Sequence, residues 1–307
     1  MSDQRLGVLM MAYGTPGSRS EVEAYYARIR HGHAPSPEQL ADLVRRYDAI
    51  GGISPLRERT AAQVRGLAVL LEQLEPNRFD VRFGAKYSEP SIEATMASFD
   101  EDGVTSVIAL ALTPHRSSMG SGEYLERASA AQAPGGQLAR IEQFYDTEGF
   151  TELIAGRVRE ALAQLGADEA DRAMVLFSAH SLPARILDQG DPYPEQLTSS
   201  AARVAELLGL ERFEVAYQSA GRTRDPWLGP DITEVIAELP ERGISSVVVC
   251  PIGFVADHLE VLYDIDVEAA AIARAAGVHL VRTASLNDDP AFLAVLARAI
   301  RSIARGL

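Results

Sequence analysis

The apolar positions fall into two kinds of run. Short continuous runs lie at 6–12, 79–85, 106–112 and 138–143, and again near 173–179, 213–218, 246–251 and 278–283. Continuous hydrophobicity over so few residues predicts strands buried on both faces. Between them, apolar residues recur at spacings of three and four. That period predicts helices over 20–30, 37–50, 55–74, 91–100, 122–131, 148–165 and 286–305. Strands alternating with helices predict parallel sheets covered on both sides, an α/β protein.

The order of elements repeats. VLMMAYGTP (8–16) aligns with VLFSAHSLP (175–183), FDVRF (79–83) with FEVAY (213–217), and GVTSV (103–107) with GISSV (243–247). Finally Leu138, Arg140, Phe144, Asp146 and Phe150 match Leu280, Arg282, Leu286, Asp288 and Phe292. The offsets are 167, 134, 140 and 142 residues. Four matches in one order predict two similar Rossmann-like halves, residues 1–146 and 147–307, each a four-stranded parallel sheet flanked by helices.

Composition narrows the function. The net charge of −14 over 307 residues argues against nucleic acid and anionic membranes as partners. One cysteine, Cys250, rules out an internal disulfide and argues against a cysteine-ligated iron–sulfur cluster. No apolar run is long enough to span a membrane, and the first residues lack the features of a signal peptide. With no exposed heptad or terminal arm, the expectation is a soluble, cytoplasmic monomer.

The candidate chemistry is concentrated near the end of the chain, in IGFVADHLEVLYDIDVE (252–268). Glu260, Asp264 and Glu268 are spaced by four, which puts them on one face of a helix. Unrelieved like charges there ask for a cation, and His258 beside them adds an imidazole suited to divalent metals. Read alone, the stretch is equally an acidic solvated face. The repeat changes this, because Tyr13 and His180 become equivalent positions just past the ends of the two first strands. Ligands bind beyond those ends in open parallel sheets, so both residues, with Asp257, His258 and Glu260, are expected to meet in one cleft.

Further segments belong to its rim. Residues 28–46 hold Arg28, Arg30, His31, His33, Arg45 and Arg46 against only Glu38 and Asp42. This is a cationic mouth suited to carboxylates, or an ordinary basic surface. IGGISPL (50–56) offers Ser54 and close backbone approach, and PHRSSMGSGEY (114–124) offers Met119 and Tyr124 to a flat ligand. Trp227, the one tryptophan, sits in a DPWLGP turn and reads as a structural brace. No strand is followed by a dinucleotide glycine fingerprint, and there is no G-x-S-x-G elbow.

MAYGTP (11–16), YDAIGGISPL (47–56), SAHSLP (178–183), GDPYP (190–194), DPWLGP (225–230) and GFVADHLEVLYD (253–264) together resemble the ferrochelatases over essentially the whole chain. The nearest likeness is to the soluble coproporphyrin III enzymes of monoderm bacteria. The resemblance implies a chelatase fold of two Rossmann-like domains around a porphyrin cleft, and insertion of Fe2+ into coproporphyrin III during haem synthesis. It implies His180 and Glu260 as the catalytic, metal-binding pair, with Asp264 and Glu268 extending the metal site outward. Tyr13, Arg30, Arg46, Tyr47, Ser54 and Tyr124 are implied as porphyrin contacts. No cofactor is implied beyond the substrate iron. The polar, basic stretch 34–46 stands where membrane-docking relatives carry an apolar lip. It favours coproporphyrin, with four propionates, over protoporphyrin IX, with two. Protoporphyrin insertion and a non-catalytic tetrapyrrole or metal carrier remain the alternatives. No role is transferred to Lys86 and Tyr87.

Overall fold

A computed structural model of the chain describes residues 5–221, 223 and 225–307. In the first half, β1 (Leu6–Ala12) is followed by α1 (Val22–Ile29), α2 (Pro37–Ala49) and α3 (Leu56–Leu74). Then come β2 (Phe79–Ala85), α4 (Ile92–Glu101), β3 (Ser106–Ala111), α5 (Ser121–Ala130) and β4 (Gln137–Ile141). In the second half, α6 (Phe150–Leu162) and α7 (Ala167–Ala170) lead to β5 (Met174–His180). After it follow α8 (Tyr193–Leu208), β6 (Phe213–Gln218), α9 (Ile232–Glu238) and β7 (Ser246–Cys250). A π-helix (Val261–Ala269), α10 (Ala270–Ala276), β8 (His279–Arg282) and α11 (Pro290–Ala304) close the chain.

The strands form two parallel sheets of identical order, β2-β1-β3-β4 and β6-β5-β7-β8. β1 and β7 are buried along their whole length, which is why neither shows alternation. Three of the sequence offsets reproduce the pairing: Gly7 opposite Val107 corresponds to Met174 opposite Val247, and Ser106 opposite Gln137 to Ser246 opposite His279. The FDVRF–FEVAY alignment slips by two. Val8 pairs with Val81, whereas its equivalent Val175 pairs with Phe213. A slip of two keeps each side chain on its own face, so the apolar pattern alone does not detect it.

Local signals set the helix starts. Ser36 and Gln39 form a capping box at α2, where Pro37 occupies the first turn. Asp289 caps α11 by accepting from the Ala291 N–H at 2.7 Å, with Pro290 behind it. α11 reaches back across the molecule and packs along α3. A continuous core runs through both halves and includes Val8, Met10, Leu67, Phe144, Phe150, Phe177, Phe292 and Leu296. Among the described residues, no helix is long and apolar enough to cross a membrane.

Candidate active site

The C-terminal ends of β1 and β5 open onto one cleft of about 1090 Å³, walled by both halves. Tyr13, Arg30, Arg46, Tyr47, Ser54, Tyr124, His180, Glu260, Asp264 and Glu268 all line it. Asp257 does not. Its carboxylate accepts from Ser285 Oγ at 2.7 Å and Asn287 Nδ2 at 2.9 Å, and it lies against Arg282 and Arg59. It fixes the loop between β7 and the π-helix.

That loop is placed by close approach. Gly253 donates its N–H to the Ser178 carbonyl at 3.1 Å. A Cβ at Gly253 would lie 2.6 Å from that of Ala179. The loop thereby crosses the end of β5 and delivers Glu260 beside His180. Gln218, buried at the end of β6, ties β5 to the start of the π-helix. It accepts from Ser178 Oγ at 2.9 Å and donates to the Glu260 carbonyl at 3.0 Å.

His180 Nε2 stands 3.6 Å from Glu260 Oε1, and His258 Nε2 stands 3.5 Å from Oε2. His180 Nδ1 is bonded to the Ser181 carbonyl, and His258 Nδ1 to the Ala256 carbonyl at 2.9 Å. A carbonyl only accepts, so each Nδ1 carries a proton, and in His180 the titrating nitrogen is Nε2. Burial opposes protonation of His180, but the Glu260 charge and the Ser181 carbonyl outweigh it and raise the imidazole pKa. Burial likewise acts to raise Glu260, yet His180 and His258 hold its carboxyl well below the usual range. The pair thus favours an imidazolium–carboxylate form, whose proton a divalent cation can replace. Among the described residues, no three such side chains have the geometry of a finished metal cage.

The acids beyond Glu260 sit on the π-helix rather than on the expected α-helix. Its i→i+5 bonding widens each turn, and a step of four falls just short of one turn. Glu260, Asp264 and Glu268 therefore still face the cleft, running from its floor to the surface. Burial first, and the Glu260 charge second, push Asp264 up to about 6, against the pull of Ser219 and Arg46. Ser219 Oγ donates to Asp264 Oδ2 from a left-handed backbone at φ 61°.

On the opposite wall Tyr13 opens onto the cleft and meets Tyr87 edge-on at 4.8 Å. Its phenol pKa is raised by desolvation against the cleft wall and then by the Glu260 charge, so it stays protonated. The basic stretch divides. Arg30, His31 and Arg46 line the cleft. Arg28 instead donates to the Tyr87 carbonyl at 3.1 Å, and Arg45 to Tyr263 Oη at 2.7 Å, so these two fasten the rim. Met119 lines the cleft as expected, and its loop is pinned to the second half where Ser118 N–H and Oγ donate to Asp191. Trp227 also lines it, with its backbone paired to Pro183. Lys86, left without a role in the sequence reading, lines the cleft between Glu123 and the Tyr124 ring.

A cleft between two equivalent sheets, with an imidazole–carboxylate pair facing a cationic rim, fits the class of metal chelatases. The Ferrochelatase family model matches residues 5–303, and the chain belongs to that family, whose members are metal chelatases classed as lyases. It is 45% identical to the ferrochelatase of Herpetosiphon aurantiacus over 95% of this chain and 97% of that one. It is 41% identical to the coproporphyrin III ferrochelatases of Bacillus pumilus and Bacillus subtilis. Those alignments cover 98% of this chain and 97% and 98% of theirs. Among solved structures the fold matches SirB from Bacillus subtilis (TM-score 0.62, 14% identity, 98% and 96% coverage). It also matches CbiX, described as the terminal enzyme of sirohaem biosynthesis in denitrifying bacteria (0.57, 17%, 96% and 98%).

Proposed function

We propose that this chain inserts Fe2+ into coproporphyrin III, giving the iron porphyrin for haem synthesis. The observation that carries the reading is the polarity of the cleft: Arg30 and Arg46 on the rim, His180 and Glu260 on the floor. Guanidinium groups bind carboxylates bidentately, so a ring with four propionates gains more from this rim than a ring with two. The 41% identity to coproporphyrin III ferrochelatases supports the same substrate.

Metal insertion is slow because the pyrrole nitrogens point inward and two carry protons. Remote propionate contacts to Arg30, Arg46, Tyr47 and Ser54 hold the ring and supply energy to bend it. Tyr13 and Tyr124 press on its faces. Fe2+ passes from Glu268 and Asp264 to Glu260 and His180, displacing the proton that the pair shares. As iron enters the ring, its two N–H protons leave. Glu260 and the freed His180 Nε2 are the bases at hand. The protein works as a soluble cytoplasmic monomer, without membrane insertion, and needs no bound cofactor or iron–sulfur cluster beyond the substrate iron.

Anaerobic Fe2+ insertion into coproporphyrin III and protoporphyrin IX, followed side by side by absorbance, tests this. Faster turnover of coproporphyrin is expected. A preference for protoporphyrin keeps the chelatase and overturns the substrate. Tight ring binding without metallation makes the chain a carrier.

A further inference from the structure

Arg46 stands between two claims. Its Nη1 lies 3.5 Å from Asp264 Oδ1, while its Nε donates to Asp42 Oδ2 at 3.3 Å. Its guanidinium lies over the Tyr263 ring, 4.9 Å from the centroid. The contact to Asp264 is an ion pair without a hydrogen bond. Asp264 is 4% exposed, and its Oδ1 is buried with no hydrogen-bond partner. A buried carboxylate oxygen in that condition is costly unless a cation compensates it. Arg46 is that cation here, and Glu260 and Glu268 add negative charge on the same side. Yet Arg46 also lines the cleft at the rim, where the proposed substrate brings carboxylates.

We propose that Arg46 is an exchangeable counter-charge, so that binding of the polycarboxylate ring and of a divalent cation at Asp264 assist each other. A ring carboxylate offers Arg46 the bidentate hydrogen bonds that Asp264 does not give it. As the guanidinium turns to the ring, Asp264 is left beside Glu260 and Glu268 without compensation, and its affinity for a divalent cation rises. In the reverse direction, a cation on Asp264 frees Arg46 for the ring. Linkage requires the two effects to be equal. The exchange orders the reaction: the outer metal position is strongest when a ring is already in place to receive the ion. The inference rests on the reading of the cleft as a porphyrin site.

The test is a fluorescence titration of the full chain with coproporphyrin III near neutral pH, with and without Mg2+. Mg2+ binds carboxylate oxygens, and potassium chloride holds the ionic strength constant. Mg2+ is expected to tighten ring binding about five- to tenfold in the native chain. Asp264→Asn should bind the ring more tightly without Mg2+ and ignore its addition. Arg46→Met should bind the ring weakly and also ignore Mg2+, whereas Arg46→Lys, which keeps the charge, should retain part of the response. No effect of Mg2+ on the native chain, or an equal effect in Arg46→Met, overturns the exchange while ring binding itself stands. Absence of any ring binding overturns the proposed function and the exchange with it.

Discussion

His180 Nε2 and Glu260 Oε1 face each other across 3.6 Å, with the other imidazole nitrogen already committed to a backbone carbonyl. Two lone pairs that face each other at that distance repel, and a positive charge between them relieves the repulsion. Against burial, the Glu260 charge favours a proton there and raises the His180 pKa. A divalent cation that takes its place must therefore release it. Zn2+ binding, measured by calorimetry in buffers of different ionisation enthalpy, should liberate about one proton below the His180 pKa and fewer above it. Release that does not change with pH places the ion elsewhere.

Asp264 should trade stability for function. Its pKa of about 6 lies above the ordinary aspartate value, so the folded state holds the proton more tightly than the unfolded one. Stability then falls as pH rises between about 4 and 6, and the full penalty is present above that range. Asp264→Asn removes the penalty. It should stabilise the protein by on the order of 2 kcal/mol near neutral pH, and the gain should vanish below about pH 4. Denaturant unfolding at several pH values measures this. A variant less stable than the native chain at neutral pH contradicts it.

Gly253→Ala tests how the loop that leads to Glu260 is placed. The new Cβ would lie 2.6 Å from Ala179 Cβ and 2.9 Å from its Cα. β5 is a fully packed central strand with no room to retreat, so the loop must move. The expected cost is about 1–3 kcal/mol of stability. Glu260, carried on that loop, should lose its register with His180, and metal insertion should fall well beyond what the lost stability explains. Unchanged melting temperature and turnover would show that the loop is positioned by other contacts.

The fold was readable because both halves rely on wholly buried strands. β1 (Leu6–Ala12) and β2 (Phe79–Ala85) coincide with their apolar runs. The cleft was readable because the repeat made Tyr13 and His180 equivalent. What escaped the sequence depends on backbone geometry rather than residue type. The two-residue slip between β2 and β6 leaves every side chain on its proper face. The π-helix offers no spacing that an α-helix would not tolerate. Asp257 shares its type and neighbourhood with Glu260, and its partners Ser285, Asn287, Arg282 and Arg59 turn it away from the cleft. Gln218, whose two side-chain bonds tie Ser178 on β5 to the Glu260 carbonyl, carries no charge and belongs to no motif with a mechanism attached.

The central claim is that His180 and Glu260 pass iron into a bound ring. The most direct measurement is anaerobic Fe2+ insertion into coproporphyrin III by the native chain and by His180→Ala, with ring affinity followed by fluorescence in the same samples. The account predicts unchanged ring binding and turnover reduced about a hundredfold or more in the variant. Full turnover in His180→Ala, with the ring bound as tightly as before, would contradict it.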